Sequence, residues 1–312
     1  MIKLFLKLAV YGVFIFLLLE CYVRVFHIYS DTPMRYIDEY GVEKRIPNQS
    51  GINVTGNRKQ HVTPFQINSF GFNSLHDTIN SNDKFKLALV GDSFIEGFHQ
   101  PSTNSIGKMI ETQVDTVEVY EFGCGGYDMA DQIHLIDAYK DRFEDIDMIV
   151  LYLKYQNDLV RGDYKPNYGR IQELNGKIEK VRRTSKFLNY IGGLGIINKF
   201  SSFIQNRKDA DNEVPGQGNN YTPEFDESSI SNFKSLMDLY HFNRNKTIFL
   251  LDSRRTSPRF IEFCKNSDIQ MIDIAKYFES TDKETTLIYD DHWNSFGRTL
   301  VAESVVEYIN MN

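Results

Sequence analysis

The sequence predicts an α/β fold built on a doubly wound parallel sheet. Short apolar runs of strand length recur along the chain, among them Met148–Leu153, whose near-continuous hydrophobicity suits a parallel strand covered on both faces. Helical patterns fall between the runs, so strand and helix alternate at the spacing of crossover connections. Four short polar motifs, Gly91-Asp92-Ser93-Phe94, Gly123-Cys124-Gly125-Gly126, Gln156-Asn157-Asp158 and Asp290-Asp291-His292, punctuate this pattern, the first three each just beyond an apolar run.

In chain order, the first element is an apolar helix. Leu8 to Leu19 carries no charge, and Lys7, Glu20 and Arg24 bracket it, giving a hydrophobic helix from about Leu4 to Phe26. That length spans a bilayer when Lys7 snorkels and Glu20 pairs with Arg24 one turn away. A cleaved signal would end in small residues, whereas Glu-Cys-Tyr-Val-Arg follows here, so residues 1–27 read as an uncleaved transmembrane anchor. Lys3 and Lys7 place the N-terminus inside and the remainder outside the cytoplasm, at the periplasm or cell surface.

Residues 28–83 are polar, with strand-like pieces and turn signals at Pro47-Asn48 and Ser50-Gly51, and read as a neck. Within it, Asn68-Ser69-Phe70-Gly71-Phe72 is a turn packed by its aromatics or a contact to the rim of a site. Residues 84–312 form the main domain. Its predicted strands are Lys86–Val90, Val117–Phe122, Met148–Leu153, Lys246–Leu251 and Ile269–Ile274; its predicted helices are Ser105–Val114, Met129–Lys140 and Pro258–Lys265. A final helix follows His292, capped by Asn294 or Ser295.

Residues 160–245 break the rhythm and are too long for a simple crossover, so they are an insertion. Asn175-Gly176 signals a hairpin there, Lys186–Gln205 a bent helix, Asp209–Thr222 a mobile loop and Ser228–His241 an amphipathic helix.

Composition removes several functions. The 312 residues carry a formal charge of −7 with scattered cations, which disfavours nucleic acid as a partner. Three cysteines and the absence of zinc-like spacing argue against a disulfide framework or a metal site, and no cofactor is expected. Cys124 and Cys264 read as small core residues.

The motifs together carry a chemistry. A serine hydroxyl needs a base, an orienting carboxylate and oxyanion donors to act as a nucleophile. Ser93 lies just past a strand, where open parallel sheets place their active sites. The glycines at 123–126 can offer a backbone amide, Asn157 a side-chain amide, and His292 a base held by a neighbouring aspartate. Each motif alone is as readily a cap or turn; their order and complementary chemistry single them out.

On these residues the chain, from about Phe85 onward, resembles the SGNH hydrolase superfamily, also called GDSL-type esterases, in particular membrane-anchored bacterial relatives such as alginate O-acetyltransferase-like proteins. The resemblance implies a three-layer α/β/α sandwich of flavodoxin-like kind. It makes Ser93 the nucleophile, His292 the base, and Ser93, Gly126 and Asn157 the oxyanion donors. Three positions depart from the family pattern: Phe94 replaces a leucine, Tyr155 a glycine, and Tyr289 the aspartate three residues before the histidine. Asp290 is therefore the expected acid, with Asp291 the alternative.

The expected activity is ester hydrolysis on O-acetylated cell-surface glycans through an acyl-serine. The alternatives are an O-acetyltransferase working with a membrane acyl-donor protein, and a catalytically silent domain that binds glycan.

Overall fold

The computed structural model describes residues 2–56, 61–77, 79, 83–194, 221–288 and 290–311, and of Asp290 the backbone alone. Five parallel strands form the central sheet: β5 (Phe85–Gly91), β6 (Val117–Gly123), β7 (Met148–Tyr152), β8 (Thr247–Leu251) and β9 (Gln270–Asp273), in the order β6-β5-β7-β8-β9. The chain runs outward from β5 to one edge and then reverses across β7 to the other. Ligand sites open at such a switch, beyond the strand ends.

The two-residue period of the strands sorts their side chains between two cores. Ala88, Val90, Ile149, Leu151, Phe249 and Leu251 face one side, where α4 (Met129–Ala138), α9 (Pro223–Leu239) and α10 (Pro258–Asn266) supply Ile133, Phe233 and Phe260. Leu87, Leu89, Val150, Ile248 and Leu250 face the other, against Ile110 of α3 (Ile106–Gln113), Phe278 of α11 (Ala275–Glu279) and Val301 of α12 (Ser295–Met311). Each such valine, leucine, isoleucine or phenylalanine contributes about 1.5–3 kcal/mol by burial, which is why the strands are largely apolar on both faces. This is the three-layer α/β/α arrangement.

Residues 28–83 are more than a spacer. They hold two antiparallel hairpins, β1 (Arg35–Ile37) with β2 (Glu43–Arg45), and β3 (Ser50–Thr55) with β4 (His61–Gln66). Phe72 is fully buried in the first core, and Asn73 donates to the Glu96 carbonyl at 2.8 Å, so the aromatic turn packs beneath the site.

The insertion differs from its sequence reading at Asn175-Gly176. There is no hairpin at that dipeptide; it joins α6 (Tyr168–Leu174) to α7 (Lys177–Thr184), with Asn175 ending one helix and Gly176 starting the next. Asn-Gly supplies turn geometry wherever a chain reverses or restarts, and the flanking residues here carry helical rather than alternating patterns. A third helix, α8 (Lys186–Gly193), follows. It ends at the expected glycine pair Gly192-Gly193; the rest of the expected helix to Gln205 and nearly all of the expected loop at 209–222 lie outside the described residues.

The N-terminal helix α1 (Ile2–Val25) is long and apolar enough to cross a membrane. Glu20 and Arg24 pair at 2.7 Å, as their spacing predicts. Glu20 also accepts from the amides of Lys186 and Phe187, both at 2.9 Å, and from Ser185 Oγ at 2.8 Å, thereby capping α8. Arg24 donates to the Thr184 carbonyl at 3.0 Å.

Candidate active site

Ser93 opens the short helix α2 (Ser93–Glu96), directly after β5. Asp92 caps that helix by accepting from the Phe94 amide at 2.8 Å. The capping carboxylate is buried, and burial raises its pKa. Gly97 ends the helix in the left-handed region at φ 66°, and Arg298 of α12 donates to its carbonyl at 3.0 Å. The serine is thus fixed by its own turn and by the last helix of the chain.

His292 belongs to β11 (Asp290–Trp293), which pairs with β10 (Thr286–Leu287). Its Nε2 stands 2.6 Å from Ser93 Oγ, although 199 residues separate the two. With that nitrogen unprotonated the hydroxyl donates to it, the arrangement from which a serine alkoxide is generated. Phe94 and His99 flank the imidazole, with ring centroids 4.6 and 4.2 Å away. Asn294 caps α12 through the Gly297 amide at 2.9 Å, as expected, and donates to the carbonyls of Glu284 and Thr286, closing the hairpin that carries the histidine.

The other expected donors converge on the same sheet end. A carbon placed at Gly125 as a Cβ would stand 3.5 Å from Ser93 Cβ, so the glycine loop runs alongside Ser93. Gly126 has φ +83°, a conformation that orients its amide at little cost only because no Cβ is present. Among the described residues the amides of Ser93 and Gly126 bond no acceptor. Asn157 is exposed in the turn after β7, its own amide donating to the Lys154 carbonyl at 3.1 Å, and its side chain bonds no described residue. Among the described residues, the amides of Ser93 and Gly126 and the side chain of Asn157 are therefore uncommitted at this end of the sheet.

Of the two acid candidates, Asp290 has only its backbone within the described residues, in register with Leu287. Asp291 is exposed and faces a neighbouring cleft.

The sequence reading missed the groups that brace the glycine loop. Glu96, fully buried, accepts from Arg45 Nε at 2.7 Å and Nη2 at 3.0 Å, and from the Gly125 amide at 2.8 Å. One carboxylate therefore ties the helix that Ser93 opens, the glycine loop and the β1–β2 hairpin together. Burial works to raise its pKa, yet the Arg45 charge and hydrogen bonds outweigh that and hold it below the ordinary range. Arg35 donates to Glu43 at 2.7 Å, and Tyr127 donates its hydroxyl to the Glu43 carbonyl. Arg170, from α6, reaches the Gly125 carbonyl at 3.4 Å and lies against Gly126.

A signal existed for part of this. Glu96 is a lone carboxylate within Phe94-Ile95-Glu96-Gly97-Phe98, where burial demands a partner. Nothing local marks Arg45 as that partner.

Behind Asn157, Asp158 is fully buried and accepts from the Lys154 amide at 2.7 Å. Burial, together with the nearby Asp92 charge, pushes its pKa well up. Cys124 and Cys264 are buried as expected; burial lifts their thiols to about 11 and about 12, which leaves them unreactive. No group of metal-binding side chains occurs among the described residues.

No family model matches the chain, and no curated protein matches it in sequence. Solved structures similar to it include a member of the lipolytic G-D-S-L family from Veillonella parvula, at 12% identity and TM-score 0.42, covering 73% of this chain and 100% of that one. A lipase/acylhydrolase from Enterococcus faecalis is 14% identical with TM-score 0.41, over 73% and 96%. A catalytic mutant of an acetylxylan esterase from Geobacillus stearothermophilus is 12% identical with TM-score 0.35, over 74% and 96%.

Proposed function

We propose that this chain is a membrane-anchored serine esterase that removes acyl groups, O-acetyl in the first place, from cell-surface glycans. The observation that carries the reading is the 2.6 Å contact between Ser93 Oγ and His292 Nε2 at the carboxyl end of a parallel sheet. The amides of Ser93 and Gly126 and the side chain of Asn157, uncommitted among the described residues, support it. A silent domain has no use for that convergence.

In this reading Ser93 Oγ attacks the ester carbonyl carbon while His292 takes the hydroxyl proton. The carbonyl oxygen becomes an oxyanion held by the two amides and Asn157. Collapse breaks the bond to the alcohol oxygen, which leaves with the proton from His292, and Ser93 stays acylated. Water then attacks the acyl-serine, giving up its proton to His292, and the carboxylic acid departs as Ser93 recovers its hydroxyl. Asp290, two residues before His292 on β11, is the proposed orienting acid.

Anchoring by α1 is supported by its length and hydrophobicity. The bonds from Glu20 and Arg24 to the starts and ends of the insertion helices favour retention of this segment over its removal as a signal.

The test is turnover of 4-nitrophenyl acetate by the full-length protein, together with labelling by a fluorophosphonate. Ser93→Ala is expected to abolish both while leaving the melting temperature unchanged. Undiminished turnover by that variant, or a label mapping to another residue, refutes the assignment.

A further inference from the structure

The glycine loop is a tight turn whose central peptide has two orientations open to it. The Tyr127 amide donates to the Cys124 carbonyl at 3.0 Å, closing the turn Cys124-Gly125-Gly126-Tyr127. Gly126, its third residue, has φ +83°, the value of a type II turn, whereas a type I turn would set that residue near about −90°. The two types differ by a half-rotation of the peptide that joins Gly125 to Gly126, and glycine accepts either. A trans peptide holds its carbonyl and its amide on opposite edges, so the rotation would carry the Gly126 N–H from one face of the loop to the other. Something must select the orientation observed.

Glu96 does not. It accepts from the Gly125 amide at 2.8 Å, which belongs to the preceding peptide and fixes only the entry to the turn. The central peptide is held by its carbonyl: Arg170 Nη2 donates to the Gly125 oxygen at 3.4 Å, and no other group among the described residues bonds that oxygen. The same Nη2 lies 2.7 Å from where a Cβ on Gly126 would stand, so the guanidinium fills the space against the turn. Its nearest counter-charge is distant, since Glu43 stands 3.8 Å away and already receives Arg35 at 2.7 Å.

Arg170 arrives on a fixed element. Asn167 accepts from its amide at 2.9 Å at the start of α6, and Asn175, at the end of that helix, donates to the Arg35 carbonyl at 2.7 Å. Just upstream, the Tyr164 hydroxyl donates to the Gly41 carbonyl at 2.5 Å. The start of the insertion is thereby fastened to the β1–β2 hairpin, the same hairpin whose Arg45 holds Glu96.

We infer that Arg170 is a positioning residue of the oxyanion hole: by holding the Gly125 carbonyl it selects the type II turn and keeps the Gly126 amide in the orientation that serves the oxyanion. The bond is long at rest. When the Gly126 N–H donates to the developing oxyanion, the carbonyl at the other edge of the same peptide becomes a stronger acceptor, and Arg170 answers it. The oxyanion role rests on the acyl-transfer reading; the selection of the turn does not. The insertion thus has a task at the site, which is to lock the peptide that carries one donor.

The experiment measures turnover of 4-nitrophenyl acetate by the full-length protein in detergent, and the φ of Gly126 in crystal structures of the natural chain and of Arg170→Met. Arg170→Met is expected to lower kcat about tenfold with KM changed by less than about twofold, and Arg170→Lys, which keeps a donor for the carbonyl, to recover most of the loss. The melting temperature should scarcely move, because the side chain is 36% exposed and its bonds are long. In the Arg170→Met structure Gly126 should turn, in all or some copies, to about −90°. In Gly126→Ala the strained residue already favours the type I turn, so adding Arg170→Met should lower kcat by less than about threefold more.

Unchanged kcat in Arg170→Met, a loss confined to KM, a further full tenfold loss on top of Gly126→Ala, or a Gly126 that keeps its left-handed φ without the arginine overturns the proposal. A natural chain that neither turns over the acetate nor takes the fluorophosphonate at Ser93 would instead refute the esterase reading. The φ of Gly126 in Arg170→Met would then still decide the clamp.

Discussion

The two sides of Ser93 are built by opposite means. On the glycine side, a buried carboxylate, Glu96, receives two bonds from Arg45 and one from Gly125, and the hairpin that supplies Arg45 comes from far upstream. On the histidine side, a short irregular hairpin carries His292, closed by amide bonds from Asn294 and flanked by aromatic rings. The difference follows the work expected of each. Oxyanion donors gain by being fixed before charge develops, because no energy is then spent on turning dipoles. A base that must take a proton from one oxygen and give it to another gains from modest freedom.

Substitutions separate the two sides. The largest effect is expected from removing the proton route: His292→Ala and Ser93→Ala should each lower kcat by at least about 10³-fold, with the double variant no worse than either. Steady-state kinetics and thermal unfolding on the three variants check this, and the melting temperature should scarcely move.

Next comes the brace. Glu96→Gln leaves the Arg45 guanidinium buried without its counter-charge and should cost about 3–5 kcal/mol of stability, the range for breaking a buried pair. Asn294→Ala, on the other side, removes exposed or half-buried amide bonds and should cost only about 1–2 kcal/mol. Chemical denaturation that finds the two losses equal would erase the contrast.

Gly126→Ala tests the donors themselves. The substitution strains a left-handed residue by about 1–2 kcal/mol and pushes against Arg170, and loss of one aligned donor should reduce kcat by about 10²-fold with little change in KM.

The smallest effect is in pH. The native Glu96 carboxyl sits below its ordinary value, because the Arg45 pairing overcomes burial. Its contribution is then complete above about 4.3 and disappears as the pH falls through the lower native value. Acid unfolding of Glu96→Gln should therefore be less steep than that of the natural chain. His76 behaves in the reverse sense. The Glu111 hydrogen bond, 2.6 Å long, raises its pKa, so its contribution is complete below about 6.5 and fades as the pH rises through the native value. His76→Gln should flatten stability across that alkaline limb, as a control remote from the serine.

Much of this architecture was legible in the sequence because it depends on local pattern. The runs at Lys86–Val90, Val117–Phe122 and Met148–Leu153 coincide with β5, β6 and β7 within a residue or two, since strands covered on both faces are mostly apolar, even with Glu118 and Glu121 buried in β6. Ser93 and Gly126 were marked by turn chemistry at strand ends and His292 by its neighbouring aspartates ahead of the last helix, and the structure brings Ser93 to His292 and the glycine loop.

The brace was not legible. Glu43-Lys44-Arg45 looks like a solvated charge run, yet all three are at most 5% exposed, because their partners lie 8, 95 and 51 residues away in sequence. Local composition cannot encode such pairings. Asn175-Gly176 failed for the opposite reason: a strong local signal for reversal does not say which elements flank it.

The capping of α8 by Glu20 has a geometric consequence. Because the end of α1 is bonded into the insertion, and the insertion also places Arg170 against Gly126, Ser93 is not tethered by a slack leash. If, as proposed, α1 mounts the chain in a bilayer and Ser93 is the nucleophile, it would work at a set height and within a narrow arc. Turnover would then be governed by how many esters occupy each patch of surface beneath it, and dilution of the bulk medium would leave the rate untouched.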